Sequence, residues 1–262
     1  MIISDARKAA FIHIPKCGGT TIRACLRTLN NIEDWNEITE HELLGRIDTT
    51  HLTLSRLREH FPLVFEKLSH YETFALVRDP FSRFISSLYQ RIKMYEHLNP
   101  AQMTFLELRS EAERVCEKLS YSSNQLPVDL VHFQPQSDYV FLDDRRIAKA
   151  IFLMSDRVSI AEYTRRVFGN NLDVALRSDN RSNSYRSRFV GEKVIWLKRN
   201  TSLNKLIPDY AKAPLRKFLY SHASNGWRQK VISSTVAAFI ADFYQKDIEL
   251  IQRLQHQAVV SQ

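Results

Sequence analysis

The first clear pattern is an apolar run, Ala9 to Ile14, followed by Pro-Lys-Cys-Gly-Gly-Thr-Thr and then a helical period. Ile22, Cys25, Leu26 and Leu29 stand at i, i+3, i+4 and i+7, one face of a helix. The segment predicts a strand, a tight glycine turn and a helix, with Thr20 or Thr21 as N-cap. A second strand is predicted from Glu72 to Val77. It runs into Arg-Asp-Pro and an amphipathic helix whose apolar stripe is Phe81, Phe84, Ile85, Leu88, Ile92 and Tyr95. Asp79 is placed to cap that helix and Pro80 to begin it. Between the two units, residues 31–70 have a mixed pattern and carry four histidines, His41, His51, His60 and His70. Beyond them the periods predict a helix from Thr104 to Leu119, strands from Tyr139 to Leu142 and Ala150 to Met154, and a helix from Ile160 to Phe168. Residues 178–190 are rich in Ser, Asn and Arg and read as a loop. Helices are expected near Glu192 to Arg199 and Pro214 to His222. A long C-terminal helix is marked by Val236, Phe239, Ile240, Phe243, Ile251 and Leu254.

Strands alternating with helices argue for an α/β fold, a central mostly parallel β-sheet flanked by α-helices. The 262 residues show no linker and no fixed-period repeat, so a single domain over residues 1–262 is expected. Composition is globular, with 44% hydrophobic and 25% charged residues. No apolar run approaches the roughly 20 residues needed to span a bilayer. The N-terminus lacks the small-residue cleavage site of a secretory signal. Three scattered cysteines, Cys17, Cys25 and Cys116, provide neither a disulfide framework nor a CxxC metal pair, which fits a reducing, cytoplasmic setting. The charge changes the picture more. A formal net charge of +8 and a pI near 9.4 favour an anionic partner: nucleic acid, anionic lipid or a phosphate-bearing cofactor.

The glycine turn narrows that choice. A strand that passes through glycines into a helix N-terminus presents free N–H groups and the positive end of the helix dipole to an anion. Gly18 and Gly19 let the backbone approach a phosphate, Lys16 supplies an ammonium, and Thr20 and Thr21 supply hydroxyls. Lys16 precedes the glycines, so the segment is not a Walker A loop, and no GxGxxG fingerprint is present. Arg78 ends the second strand and Ser86 lies eight residues on, in the next helix. An Arg and a hydroxyl at the carboxyl edge of a parallel sheet suit a second phosphate. For Arg78 alone, a local pair with Asp79 or a capping role is the competing reading.

FIHIPKCGGTTI followed by FALVRDPFSRFISSLY resembles the phosphosulfate (PAPS)-dependent sulfotransferases, particularly the carbohydrate, family 2 branch. VHFQPQSDYV resembles that family's His-x-x-Pro-Gln segment, and AAFIADFYQKDIELIQRL resembles its closing tyrosine-and-aspartate helix. The stretch KLIPDYAKAPLRKFLYS adds a likeness to bacterial members. The resemblance implies a P-loop-type three-layer fold. It implies that Pro15, Lys16, Cys17, Gly18, Gly19, Thr20 and Thr21 hold the 5′ side of PAPS, while Arg78 and Ser86 hold its 3′-phosphate. The loop NRSNSYRSRF, with Arg181, Arg186 and Arg188, matches the family's nucleotide-closing loop; Arg186 and Arg188 are the candidates to touch the cofactor.

Sulfuryl transfer needs an in-line acceptor, neutralised charge and a base for the acceptor hydroxyl. Lys16 is the expected partner of the charge on the leaving oxygen. By resemblance no metal is required, and the sequence offers no compact ligand motif. His51, in a segment that occupies the place of the family's histidine, is the expected base; an ordinary loop or capping histidine is the competing reading. His13 is expected to be a satisfied core residue and His132 to face the acceptor. Cys17 is read as a small neutral loop residue. Phe133, Tyr139, Tyr121, Trp196 and Trp227 are read as core aromatics by default.

The expected function is transfer of a sulfuryl group from PAPS to a hydroxyl of a glycan or glycolipid. Helical regions about 100–130 and 190–230 are expected to shape the acceptor pocket. The resemblance and the absence of an anchor imply a bacterial cytoplasmic enzyme, working near the inner face of the membrane. A divergent P-loop kinase or NTPase is the alternative. A basic nucleic-acid-binding protein is the third reading, and no known nucleic-acid module is present.

Overall fold

The computed structural model describes residues 1–29, 31–122, 125–169, 184–185, 220–221 and 231–260. Its centre is a five-stranded sheet built from β1 (Ile2–Ser4), β2 (Ala9–Ile12), β3 (Glu33–Asp34), β6 (Glu72–Val77) and β9 (Ala150–Leu153), in the order β3-β1-β2-β6-β9. Two two-stranded hairpins stand apart from it: β4 (Ile38–His41) with β5 (Gly45–Asp48), and β7 (Phe141–Leu142) with β8 (Arg145–Arg146). A further antiparallel pair joins β10 (Ser184–Tyr185) to β11 (Tyr220–Ser221). The helices are α1 (Gly19–Leu26), α2 (Leu54–His60), α3 (Pro62–His70), α4 (Pro80–Tyr95), α5 (Phe105–Ser120), α6 (Arg157–Phe168), α7 (Ser234–Phe243) and α8 (Gln245–Val260).

The sheet is mixed rather than mostly parallel. β2, β6 and β9 run parallel, whereas β1 is antiparallel to both β2 and β3. The cause is local. Residues 5–8 turn tightly, with Lys8 N–H donating to Asp5 C=O at 3.2 Å and Lys8 at φ 46°, so β1 and β2 form a hairpin. Three residues are too few for β1 to announce itself by period. β2 and β6 pair from Ala9↔Glu72 to Ile12↔Ala75, so their carboxyl ends emerge side by side. That edge carries the glycine turn and Arg78.

Other expectations need correction. The strand expected over Tyr139 to Leu142 is a 3₁₀ turn over Gln136–Tyr139 followed by a two-residue strand. Asp143 and Asp144, both at positive φ, then close a primed hairpin turn. The single C-terminal helix is two, because Tyr244 leaves helical geometry (φ −107°, ψ 26°). Its buried hydroxyl donates to the Phe133 carbonyl at 2.7 Å, which fixes the break. Tyr220–Ser221, at the end of an expected helix, pairs as a strand instead; the expected helix near Glu192 to Arg199 lies outside the described residues. The mixed stretch 31–70 contains β4, β5, α2 and α3.

Two apolar clusters hold the layers. One surrounds the sheet, with Ile2, Phe11, Phe74, Val77 and Phe168 fully buried. The other locks α4 to α5 and α7 through Phe84, Leu88, Ile92, Val115 and Ile240. Inside it Arg91 pairs with Glu111 at 2.6 Å, both nearly sealed from water. Asp79 caps α4 by accepting from Ser82 N–H at 2.7 Å, with Pro80 at its start, as the sequence predicts.

Candidate active site

The glycine turn folds as it does because two residues accept left-handed backbone. Gly18 sits at φ 79° and Lys16 at φ 65°. Glycine adopts that region freely; for lysine it costs roughly 1–3 kcal/mol and must be held by its surroundings. The hold comes from neighbouring chain. Arg83, on α4 and buried, donates from Nε to the Pro15 carbonyl at 3.1 Å. Arg78 Nη1 donates to the Lys16 carbonyl at 3.3 Å. Gly18 itself is the residue before α1 and makes no side-chain cap, so neither Thr20 nor Thr21 is the N-cap. Thr20 is exposed and Thr21 half-buried in the first turn. Gly19 is required for a different reason: a Cβ there would overlap the His13 ring.

Gln136 ties this turn to the second strand. Its carbonyl oxygen accepts from the Cys17 thiol at 3.1 Å and from the Arg78 N–H at 2.8 Å. Its amide donates to the Arg78 carbonyl at 2.9 Å and to Asp247 Oδ2 at 3.1 Å. Asp247 on α8 also accepts from the N–H groups of Gln136 and Ser137, each at 2.8 Å. One amide thus sets the spacing between the turn, the end of β6 and the C-terminal helix.

Electrostatically the turn is cationic. Lys16 has no ion-pair partner among the described residues. Burial lowers its pKa, and Arg78 and Lys93 lower it further. An ammonium whose charge is disfavoured by burial and by like charges is stabilised by an anion placed beside it. Cys17 does not share this activation. It is fully buried, and burial raises its thiol pKa to about 11, so the neutral reading holds. Ser86 lies half-buried in the second turn of α4. Arg181, Arg186, Arg188, Trp196 and Trp227 lie outside the described residues. Phe133 and Tyr139 are core residues, and Tyr121 is exposed.

A cavity of about 340 Å³ opens beside the turn, reached by Thr20 and lined along one wall by His13, His51 and His132. His51 ends a 3₁₀ turn, Thr49–His51, capped by Asp48, whose Oδ1 accepts from Thr50 N–H at 2.9 Å. His51 Nδ1 lies 3.1 Å from the His13 carbonyl, which fixes it as the protonated nitrogen and leaves Nε2 with its lone pair. Nε2 faces Asp48 Oδ2 at 3.8 Å. Tyr139 donates its hydroxyl to the His51 carbonyl at 3.2 Å. His51 packs edge-on against His13 and His132, with ring centroids 4.9 and 5.3 Å away. Burial lowers the pKa of His51 and of His132 to about 3, and that of His13 well below its ordinary value. All three imidazoles are therefore neutral at neutral pH. His13 is not the satisfied core residue the sequence suggests: its Nδ1 is buried without a hydrogen-bond partner.

Lys16, the two glycines and Arg78 are thus brought to one edge, with His51 and His132 on the cavity wall near it. Sequence reasoning missed Arg83, Gln136, Asp247, Lys93 and Asp48. Gln136 had a signal, since the Pro-Gln pair stood out in the motif. Asp247 had one as well, in the closing helix that resembles the family's tyrosine-and-aspartate helix. Arg83, Lys93 and Asp48 are single polar residues within apolar or mixed stretches.

A protein-family model described as "Sulfotransferase family" matches residues 1–251. No curated protein and no solved structure matches the chain. Among the described residues no helix is long and apolar enough to cross a membrane. A match over nearly the whole length, on a mixed α/β sheet flanked by helices, places this chain in the sulfotransferase family, of family 2 type.

Proposed function

We propose that the protein transfers a sulfuryl group from PAPS to a hydroxyl of a carbohydrate or glycolipid acceptor by in-line displacement. PAPS supplies a sulfur centre activated by a bisphosphate-bearing leaving group. The observation that carries the reading is the placement of Lys16, which has no ion-pair partner among the described residues and feels the positive charge of Arg78 and Lys93, beside a cavity walled by neutral histidines.

The residues divide the work. The N–H groups opening α1 and the Lys16 ammonium bind the 5′ phosphosulfate and neutralise charge on the leaving oxygen. Arg78, with Ser86, binds the 3′-phosphate; by family likeness Arg186 and Arg188 join them, and Pro15, Cys17, Thr20 and Thr21 complete the cradle. His51 Nε2 takes the acceptor proton while the acceptor oxygen bonds to sulfur and the sulfur–oxygen bond to the 5′-phosphate breaks. Asp48 faces the imidazolium so formed and steadies it. No metal takes part in this step.

The cavity supports a glycan acceptor. Asn36, Glu37, Gln90 and Asp48 offer hydrogen bonds to hydroxyls, and Met94 and Val131 offer apolar surface to a sugar face. Its volume of about 340 Å³ is at the lower end of ligand pockets, suited to one or two sugar rings. A screen of glycan and glycolipid acceptors with sulfur-labelled PAPS tests the proposal. Labelled product is expected from the wild type. His51→Gln should lower kcat by about 10²–10⁴-fold while retaining affinity for adenosine 3′,5′-bisphosphate. A His51→Gln protein with full turnover would remove His51 from the chemistry.

A further inference from the structure

The same cavity wall holds a constellation that proton transfer does not use. A carboxylate oxygen of Asp48 and one ring nitrogen each of His51 and His132 lie within 4.8 Å of one another. We propose that these three residues form a binding site for a divalent transition-metal ion of the Zn²⁺ type, and that occupation of it blocks sulfuryl transfer. The second half rests on the proposed function; the first does not.

Two of the three ligands are already aimed by a bond through their other end. Asp48 Oδ1 is held by Thr50 N–H at 2.9 Å, which leaves Oδ2 to the cavity. His51 Nδ1 is held by the His13 carbonyl at 3.1 Å, which leaves Nε2. Metal-binding histidines are oriented in just this way, through the nitrogen that does not bind. His132 is fixed through its backbone: its carbonyl accepts from Ser87 Oγ at 2.7 Å and from Arg83 Nη2 at 3.1 Å. A second observation is independent of these three. His13 lines the same cavity with its ring 4.9 Å from that of His51, and its buried Nδ1 has no hydrogen-bond partner, so a further imidazole nitrogen without a partner lies behind the trio.

The donor set selects the ion. Two nitrogens and one carboxylate suit Zn²⁺ and its first-row neighbours, whereas Mg²⁺ and Ca²⁺ take oxygen sets. Tetrahedral Zn²⁺ with ligands at about 2.0–2.1 Å needs donors about 3.3 Å apart; Asp48 Oδ2 and His51 Nε2 stand 3.8 Å apart and all three donors lie within 4.8 Å, so the side chains must draw together on binding. Three protein ligands with the fourth position open to a cavity is also how zinc is held at accessible sites. The cost to the reaction is direct. The lone pair that His51 Nε2 would offer to the acceptor proton is the one the ion takes.

The test uses the full chain freed of metal by chelation, then titrated with Zn²⁺ against a competing chelator and with Co²⁺ by visible absorption. One equivalent should bind, and Co²⁺ should give the intense bands of a tetrahedral site. Asp48→Asn, His51→Gln and His132→Gln should each weaken Zn²⁺ binding by about tenfold or more. Circular dichroism and melting of each variant without metal establish that it is folded. His41→Ala is the control, because His41 and His60 form a separate, half-buried pair with ring centroids 5.7 Å apart. Loss of binding in His41→Ala, with binding kept in the three cavity variants, would overturn the site. Inhibition of labelled transfer should follow the same Zn²⁺ curve. Stoichiometric binding that leaves transfer unchanged or raises it would overturn the inhibitory role while the site stands. A protein inactive with every acceptor but binding Zn²⁺ as described would count against the proposed function alone.

Discussion

Gly19 and Cys17 illustrate two ways in which a residue in a ligand loop is constrained. Gly19 is small because His13 occupies the space a methyl would need, and His13 carbonyl in turn holds His51. A Gly19→Ala protein must therefore move His13, and the effect should pass to both the turn and the cavity wall. A destabilisation of about 2–4 kcal/mol is expected, of the size overpacking causes at its worst, read as a lower urea midpoint. A variant as stable as the wild type would show that the ring moves freely. Cys17 carries the opposite message. It neighbours a lysine, yet burial and the Gln136 carbonyl keep it a neutral thiol with pKa about 11. In the native protein it should resist alkylation at pH 7.5 and react only once denaturant exposes it. At this scale the sequence was informative where chemistry is local. Lys16, Gly18 and Arg78 stood out from residue type and position. Arg83 did not, because a buried arginine that serves three carbonyl groups looks like any charged residue on an amphipathic helix.

Elements were legible in proportion to their length and period. β6 and the cap of α4 match their predicted positions, since a six-residue apolar strand meeting Asp-Pro has few alternatives. β1, β3 and the two-residue hairpins were not legible, because pairing rather than pattern makes them strands. The break between α7 and α8 was hidden for the same kind of reason: both helices are amphipathic, and only the tertiary bond from Tyr244 to Phe133 separates them. That break delivers Asp247 to the 136–137 turn, where its carboxylate accepts three hydrogen bonds while sealed from solvent. Asp247→Ala strips the partners from buried N–H groups at the junction of α8, the glycine turn and β6. Unsatisfied buried donors cost about 1–3 kcal/mol each, so a total loss of roughly 3 kcal/mol or more is expected in chemical denaturation. Asp247→Asn, which keeps an acceptor oxygen, should lose less. Equal losses would show that the hydrogen bonds carry no weight there.

For the whole molecule, the surplus of eight positive charges acquires a location in part. Lys16 and Arg78 concentrate charge at the carboxyl edge of parallel strands, where open α/β sheets bind their ligands, and Lys93 from the last turn of α4 adds to the field at Lys16. The family and the general α/β class were readable from two motifs, because a phosphate-type turn needs residues in a fixed local order. The cavity was not readable. Its wall draws on His13 just beyond β2, on α1, the β4–β5 hairpin, α4 and the segment around His132, and only the fold brings them together. The measurement that bears most directly on the central claim is calorimetric titration with adenosine 3′,5′-bisphosphate and, separately, with ATP. The account predicts tighter binding of the bisphosphate, lost by at least about tenfold in Lys16→Ala and Arg78→Ala as charge-assisted contacts disappear. Equal or tighter binding of ATP, or bisphosphate binding undiminished in both variants, would contradict it.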